Sequence, residues 1–144
     1  MRCEEIMNAE VTRIRGSDSV REAAERMRDR DVGFLPVVDD RGLVVGTVTD
    51  RDIVVRVIAD GRDPSGPVSM CMTGEVIACF ASDDLVKAQE LMSLYQKSRV
   101  VVLDDRGLLA GVISLADLAR ARDERATGET MREVKTDTGA SRAL

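Results

Sequence analysis

The chain contains one unit written twice, and this limits its fold more than any other feature. Set against itself at an offset of 65, residues 7–56 match residues 72–121 at sixteen of fifty positions without a gap. Met7/Met72, Glu10/Glu75, Val11/Val76, Ser17/Ser82, Asp18/Asp83, Ala23/Ala88 and Met27/Met92 are identical pairs. The densest block sets Asp39-Asp40-Arg41-Gly42-Leu43 against Asp104-Asp105-Arg106-Gly107-Leu108, followed by Gly46/Gly111 and Asp52/Asp117. Val20/Leu85, Leu35/Val100, Val48/Ile113 and Ile53/Leu118 match by type. Turns and core positions aligned in one register mean a duplicated fold. Each copy is under about 60 residues, marginal for a core of its own. The two are therefore expected to pack as one body with pseudo-twofold symmetry.

Each copy reads strand, helix, strand, strand, helix, an α+β unit of type β-α-β-β-α. Val11–Ile14 and Val76–Cys79 are short β-branched or apolar runs that predict the first strand. Ser19-Val20-Arg21-Glu22 fits a capping box, and Val20, Ala23, Ala24 and Met27 recur at helical spacing. Leu85, Ala88, Leu91, Met92 and Tyr95 form the matching stripe, preceded by Asp83 and Asp84. Two strands joined by Asp-Asp-Arg-Gly come next, the glycine supplying the positive φ of a tight hairpin. The turn carboxylates are expected to bond local backbone N–H groups. Pro36 lacks an N–H, which predicts an edge strand or one that stops early. The closing helices are expected over Arg51 to about Ala59 and Leu115 to about Arg122. Residues 1–60 and 71–122 are then the two domains, 61–70 with Pro64 and Pro67 the linker, and 123–144 a polar tail.

Composition excludes more than it suggests. With no histidine, Ser-His-Asp and Cys-His catalysis and imidazole-containing metal sites are unavailable within one chain. No phosphate loop of the G-x-x-x-x-G-K type occurs. Two phenylalanines and one tyrosine are too few for base-stacking platforms. A net charge of −5 argues against binding a phosphate backbone. Cys3, Cys71 and Cys79 form neither a C-x-x-C pair nor an even disulfide set, and Cys79 in an apolar run reads as a small buried hydrophobe. No stretch reaches the roughly 20 apolar residues of a membrane span. The expectation is a reduced, cytoplasmic, non-enzymatic protein without a metal or required cofactor.

The chemistry-bearing segment is Gly46-Thr47-Val48-Thr49-Asp50-Arg51-Asp52, matched by Gly111-Val112-Ile113-Ser114-Leu115-Ala116-Asp117. Each places a hydroxyl and, three residues on, an aspartate where a strand turns into a helix. Unpaired N–H groups at a helix start suit phosphate, and the aspartate can accept both hydroxyls of a cis-diol such as ribose. The same spacing is also a capping box, whose groups satisfy only the helix. The choice of Asp over Glu in both copies, and a glycine where backbone could approach a ligand, favour the binding reading.

These residues bring the chain to a resemblance. The duplicated order, Gly-h-h-Thr/Ser-x-x-Asp in both copies, and Gly33-Phe34-Leu35-Pro36-Val37-Val38-Asp39 resemble a tandem pair of cystathionine β-synthase (CBS) domains, the Bateman module, over about residues 5–122. The resemblance implies a regulatory module that binds adenosine-containing ligands (AMP, ADP, ATP or S-adenosylmethionine) between its repeats. An adenine nucleotide would thus be a regulatory ligand. It implies Asp52 and Asp117 on ribose hydroxyls, and Thr49 and Ser114 on ribose or phosphate. Thr12, Ile77, Leu35 and Val100 would lie about the base, and Arg99, with Lys97 near it, would meet phosphate. It also implies a homodimer that signals to a downstream protein.

The copies differ at these positions. Lys97-Ser98-Arg99 replaces Val32-Gly33-Phe34, and Ala116 stands where the first copy has Arg51. Thr49, Arg51 and Asp52 with Arg99 are therefore expected to form the stronger nucleotide site, and Ser114 with Asp117 the weaker. The competing reading is a dimeric interaction module whose clefts hold no ligand.

Overall fold

Strand and helix alternate as the duplicated pattern requires. In chain order the elements are α1 (Cys3–Ile6), β1 (Ile14–Arg15), α2 (Val20–Arg30), β2 (Phe34–Val38), β3 (Val44–Thr49), α3 (Asp50–Ile53), β4 (Ala78–Phe80), α4 (Leu85–Tyr95), β5 (Arg99–Leu103), β6 (Leu109–Ser114) and α5 (Leu115–Thr130). This computed structural model describes the backbone of residues 1–130 and the side chains of residues 1–124. The expected tail at 123–144 begins inside α5, and its remainder lies outside the described residues.

Each repeat builds one three-stranded sheet, β1-β2-β3 and β4-β5-β6, with the first pair parallel and the second antiparallel. The hairpin turns follow the expected chemistry. Gly42 and Gly107 take φ of 87° and 82°, where a side chain would be strained. Asp39 Oδ1 accepts from the N–H groups of Arg41 and Leu43, and Asp104 Oδ1 from those of Arg106 and Leu108.

Pro36 departs from expectation. It sits in the central strand of its sheet, fully buried and paired in register with Thr47. The N–H and C=O of Thr47 bond those of Thr73, so they point away from Pro36 and need nothing from it. The proline shortens the other side of the strand instead. In the second repeat Val101, at the equivalent position, donates its N–H to Ile77 O at 3.0 Å. Pro36 has no N–H to give the equivalent Thr12, and β1 begins two residues later, at Ile14.

Compactness cuts the chain differently from the repeat. Glu10–Val76 forms one unit, whereas Met1–Ala9 joins the chain from Ile77 on. Each repeat's opening segment thus completes the fold of the other repeat. Thr73 bridges Thr47 in the first unit, and Asn8 bridges Val112 in the second. Val68, on a 3-10 turn over Val68–Met70, and its counterpart Cys3 are both fully buried. The segment expected to be a linker also serves the start of α2, since Val20 N–H bonds Gly66 O and Arg21 N–H bonds Pro64 O. These are donors that a helix start leaves unpaired. In the second unit Leu85 N–H finds Met1 O in the same way.

The cores follow the predicted faces. Ile14, Val20, Ala23, Met27, Leu35, Val48 and Val57 pack in the first unit, and Cys79, Ala88, Met92, Val100, Ile113 and Leu118 in the second. Ala24 lies outside its core and Tyr95 is 43 % exposed. Ser19 caps α2 through Glu22 N–H, but the Glu22 carboxylate bonds Arg26 rather than closing a box. The helix expected over Arg51–Ala59 is four α-helical residues that continue as a π-helix over Val54–Ile58. Its wider turns close through Ala59 N–H to Val54 O and Arg62 N–H to Val57 O.

Candidate functional site

In both units the third strand ends on a hydroxyl residue and the next residue begins a helix. Thr49 Oγ1 accepts from Asp52 N–H at 3.1 Å, and Asp52 Oδ2 accepts from Thr49 N–H at 2.9 Å. Ser114 and Asp117 repeat the arrangement at 3.1 and 2.8 Å. The capping box is therefore formed in each unit. It uses one carboxylate oxygen of each aspartate. The other, Oδ1, faces an arginine on the same helix: Arg56 at 3.9 Å in the first unit, and Arg120 in hydrogen-bond contact in the second. The aspartate side chains are only 16 % and 14 % exposed, while their arginines are about half exposed. Each site thus offers one carboxylate oxygen held in place by the cap and one beside a half-exposed cation. An oxygen of that second kind can accept a ligand hydroxyl once the arginine moves.

The glycines of the motif have a different role from the one expected. A Cβ on Gly46 would lie 2.8 Å from Thr73 O and from Met72 Sδ; on Gly111 it would lie 2.7 Å from Asn8 O and 2.8 Å from Met7 Sδ. Both make room for the opening segment of the other repeat, not for a ligand. Sequence reading missed this because the neighbours, Met7 and Met72, belong to segments whose packing has no local signal. Gly33 differs, since a Cβ there would meet the carboxylate of exposed Asp50 at 2.7 Å, a side-chain end of the same repeat.

The remaining expected residues divide by burial. Thr12 and Ile77 are half-buried, and Ile77 packs on its unit's core. Leu35 and Val100 are fully buried core residues, so only their backbone could meet a ligand. Arg51 is exposed on the first turn of α3. Arg99 opens β5, half-buried, with Nη1 3.5 Å from Ser98 Oγ, and Lys97 is exposed just before it. Thr49, Arg51 and Asp52 thus come together in the first unit, and Ser114 and Asp117 in the second, the unit that also carries Arg99.

No helix among the described residues is long and apolar enough to cross a membrane. CBS domain-containing protein YhcV of Bacillus subtilis is 36% identical over 113 residues, covering 78% of this chain and 79% of that protein. Hypoxic response protein 1 of Mycobacterium tuberculosis is 32% identical over 133 residues, 90% of this chain and 91% of that one. The CBS domain pair of MJ0100, solved with 5′-methylthioadenosine and S-adenosyl-L-methionine, superposes with a TM-score of 0.76 at 25% identity, over 87% of this chain and 98% of that one. CBSX2, solved with AMP, gives 0.75 at 25% identity over the same shares. The CBS domain model matches residues 3–59 and again 68–124. With its duplicated sheets, paired caps and this double match, the chain belongs to the CBS domain family and carries the domain twice.

Proposed function

We propose that this protein is a non-catalytic regulatory module that binds an adenosine-containing ligand through Thr49 and Asp52 and through Ser114 and Asp117. Ligand binding would bias its conformation toward a state that a downstream protein reads. The observation that carries this reading is the pair of nearly buried aspartates at matching strand-to-helix junctions, each with one oxygen held by the cap and the other beside a half-exposed arginine. MJ0100 and CBSX2, with the same fold, were solved with adenosine compounds. A bound ligand shifts a conformational equilibrium only by its differential affinity for the two states. Three free cysteines suit a reducing cytoplasm.

The first-unit set is the stronger phosphate binder in this proposal, because Arg51 is exposed where the second repeat has Ala116. Thermal-shift and calorimetric titrations with AMP, ATP and S-adenosylmethionine test it, each variant being referred to its own ligand-free midpoint. Asp52→Ala is expected to lose more AMP and ATP affinity than Asp117→Ala, and Arg99→Ala shows which set that arginine serves. Equal losses in the two aspartate variants overturn the asymmetry. No shift with any adenosine compound at millimolar concentration favours the ligand-free interaction module, a reading that the completed capping boxes support.

A further inference from the structure

The first unit holds a concavity away from the Thr49–Asp52 cap. β2 and β3 pair from Phe34–Thr49 at one end to Val38–Val44 at the other, so the hairpin turn lies roughly 15 Å along the sheet from Thr49. Around that turn is an open groove of about 590 Å³, lined by Arg13, Arg15, Arg26 and Arg41 among others. That volume is the size of a small-molecule site.

The charges of this groove fall into two groups. Two of its three acids belong to the fold, and the third, Asp40, is exposed beside Arg15. Asp18 accepts from Arg15 N–H as the equivalent Asp83 accepts from Phe80 N–H, and Asp39 and Asp104 hold the turns. Its arginines do not recur in the same way. Where the first repeat has Arg13, Arg15 and Arg26, the second has Ala78, Phe80 and Leu91, and only Arg41 returns, as Arg106. Three guanidinium groups have thus been placed round one concavity in one copy of a duplicated scaffold that folds without them.

Two of the four cations are committed. Arg15 pairs with Asp40 at 3.2 Å, and Arg26 with Glu22 at 2.7 Å and Asp18 at 3.8 Å. Among the described residues, the side chains of exposed Arg13 and Arg41 make no ion pair or hydrogen bond. Two unpaired guanidinium groups match an anion of charge −2 or more, and their planar forks suit phosphoryl oxygens. The net charge of −5 disfavours a long nucleic acid here.

We propose that this groove is a binding site for a small phosphorylated anion, held by Arg13 and Arg41 with Arg15 and Arg26 as flanking cations, and separate from the capped sites. The proposal does not depend on adenosine binding. Its test is titration of the ¹⁵N-labelled full chain with sodium pyrophosphate at ionic strength held constant with sodium chloride. Saturable amide shifts are expected at residues 13–15 and 39–42, unchanged in Asp52→Ala. The double variant Arg13→Ala/Arg41→Ala is expected to bind roughly ten-fold or more weakly, while Arg106→Ala leaves affinity unaltered. Both sets of substitutions fall on exposed side chains, and an unchanged spectrum elsewhere verifies folding. Shifts that never saturate, that appear equally at residues 104–107, or that centre on Thr49 and vanish in Asp52→Ala overturn the proposal, as does wild-type affinity in the double variant.

Discussion

Asp52 and Asp117 each serve the fold through one oxygen and turn the other to an arginine. That division explains how one residue type at one spacing can be both a cap and a binding group. Removing a cap of this kind costs about 1 kcal/mol, so a binding defect in either variant has to be read against its own stability. The cysteines show the same care for context. Cys3 and Cys79 occupy positions where the first unit has Val68 and Ile14, all four nearly or fully buried. Their sulfurs lie 3.6 Å apart. Burial, with a smaller contribution from Cys3, pushes the Cys79 thiol from 9.0 up to about 12. Below pH 9 both folded and unfolded chains keep this proton. Between 9 and 12 the unfolded chain releases it and the folded one holds it, so stability falls as pH rises. The slope reaches at most about 1.4 kcal/mol per pH unit for such a thiol. Urea midpoints measured from pH 8 to 11 are expected to drop, and Cys79→Ala to flatten the drop whatever it does to the midpoint at pH 8. An equally steep fall in the variant would assign the alkaline loss to other groups.

At the level of elements, one backbone N–H decides where the first strand of each repeat begins. Val101 contributes it in the second unit and Pro36 cannot in the first. Val101→Pro is therefore expected to destabilise the protein by about 1–3 kcal/mol, the cost of an unmade buried hydrogen bond. Pro36→Val is expected to stay within about 1 kcal/mol of wild type, since the regained bond offsets the freer unfolded chain. Urea denaturation of the two variants measures both, and equal costs would contradict the assignment. Helices α2 and α4 and both hairpins were legible in the sequence, because their signals are local: apolar spacing, a cap residue, a turn glycine. The hydroxyl and aspartate pair of each site was legible too. The central place of Pro36 was not, since β2 is central only because β1 pairs with it in parallel, Ile14 opposite Val37, and no local signal shows that pairing. The π-helix was also hidden. Its run Val54-Val55-Arg56-Val57-Ile58 is rich in β-branched side chains that fit an α-helix poorly, but composition alone does not fix the alternative.

For the whole molecule, the units defined by packing are not the halves defined by repetition. A fragment spanning residues 10–76 holds a complete sheet, both helices and the segment that covers them. A fragment spanning residues 1–67, of the same length, lacks the Val68–Met72 packing and the Thr73 bridge. The first is expected to give the more cooperative thermal melt by circular dichroism, and equal melts would refute the exchange.

The exchange of opening segments has a consequence for how such a chain could arise. A product carrying the repeat once could cover its own sheet only by trading that segment with a second copy, as domain-swapped dimers do. Its folding would then depend on concentration. Joining two repeats end to end turns the trade into an event within one molecule, with the connection itself setting a high effective concentration. Once joined, each copy is free to change its surface without keeping a mirror-image partner, and a cluster of arginines on one copy alone is the kind of difference that freedom allows.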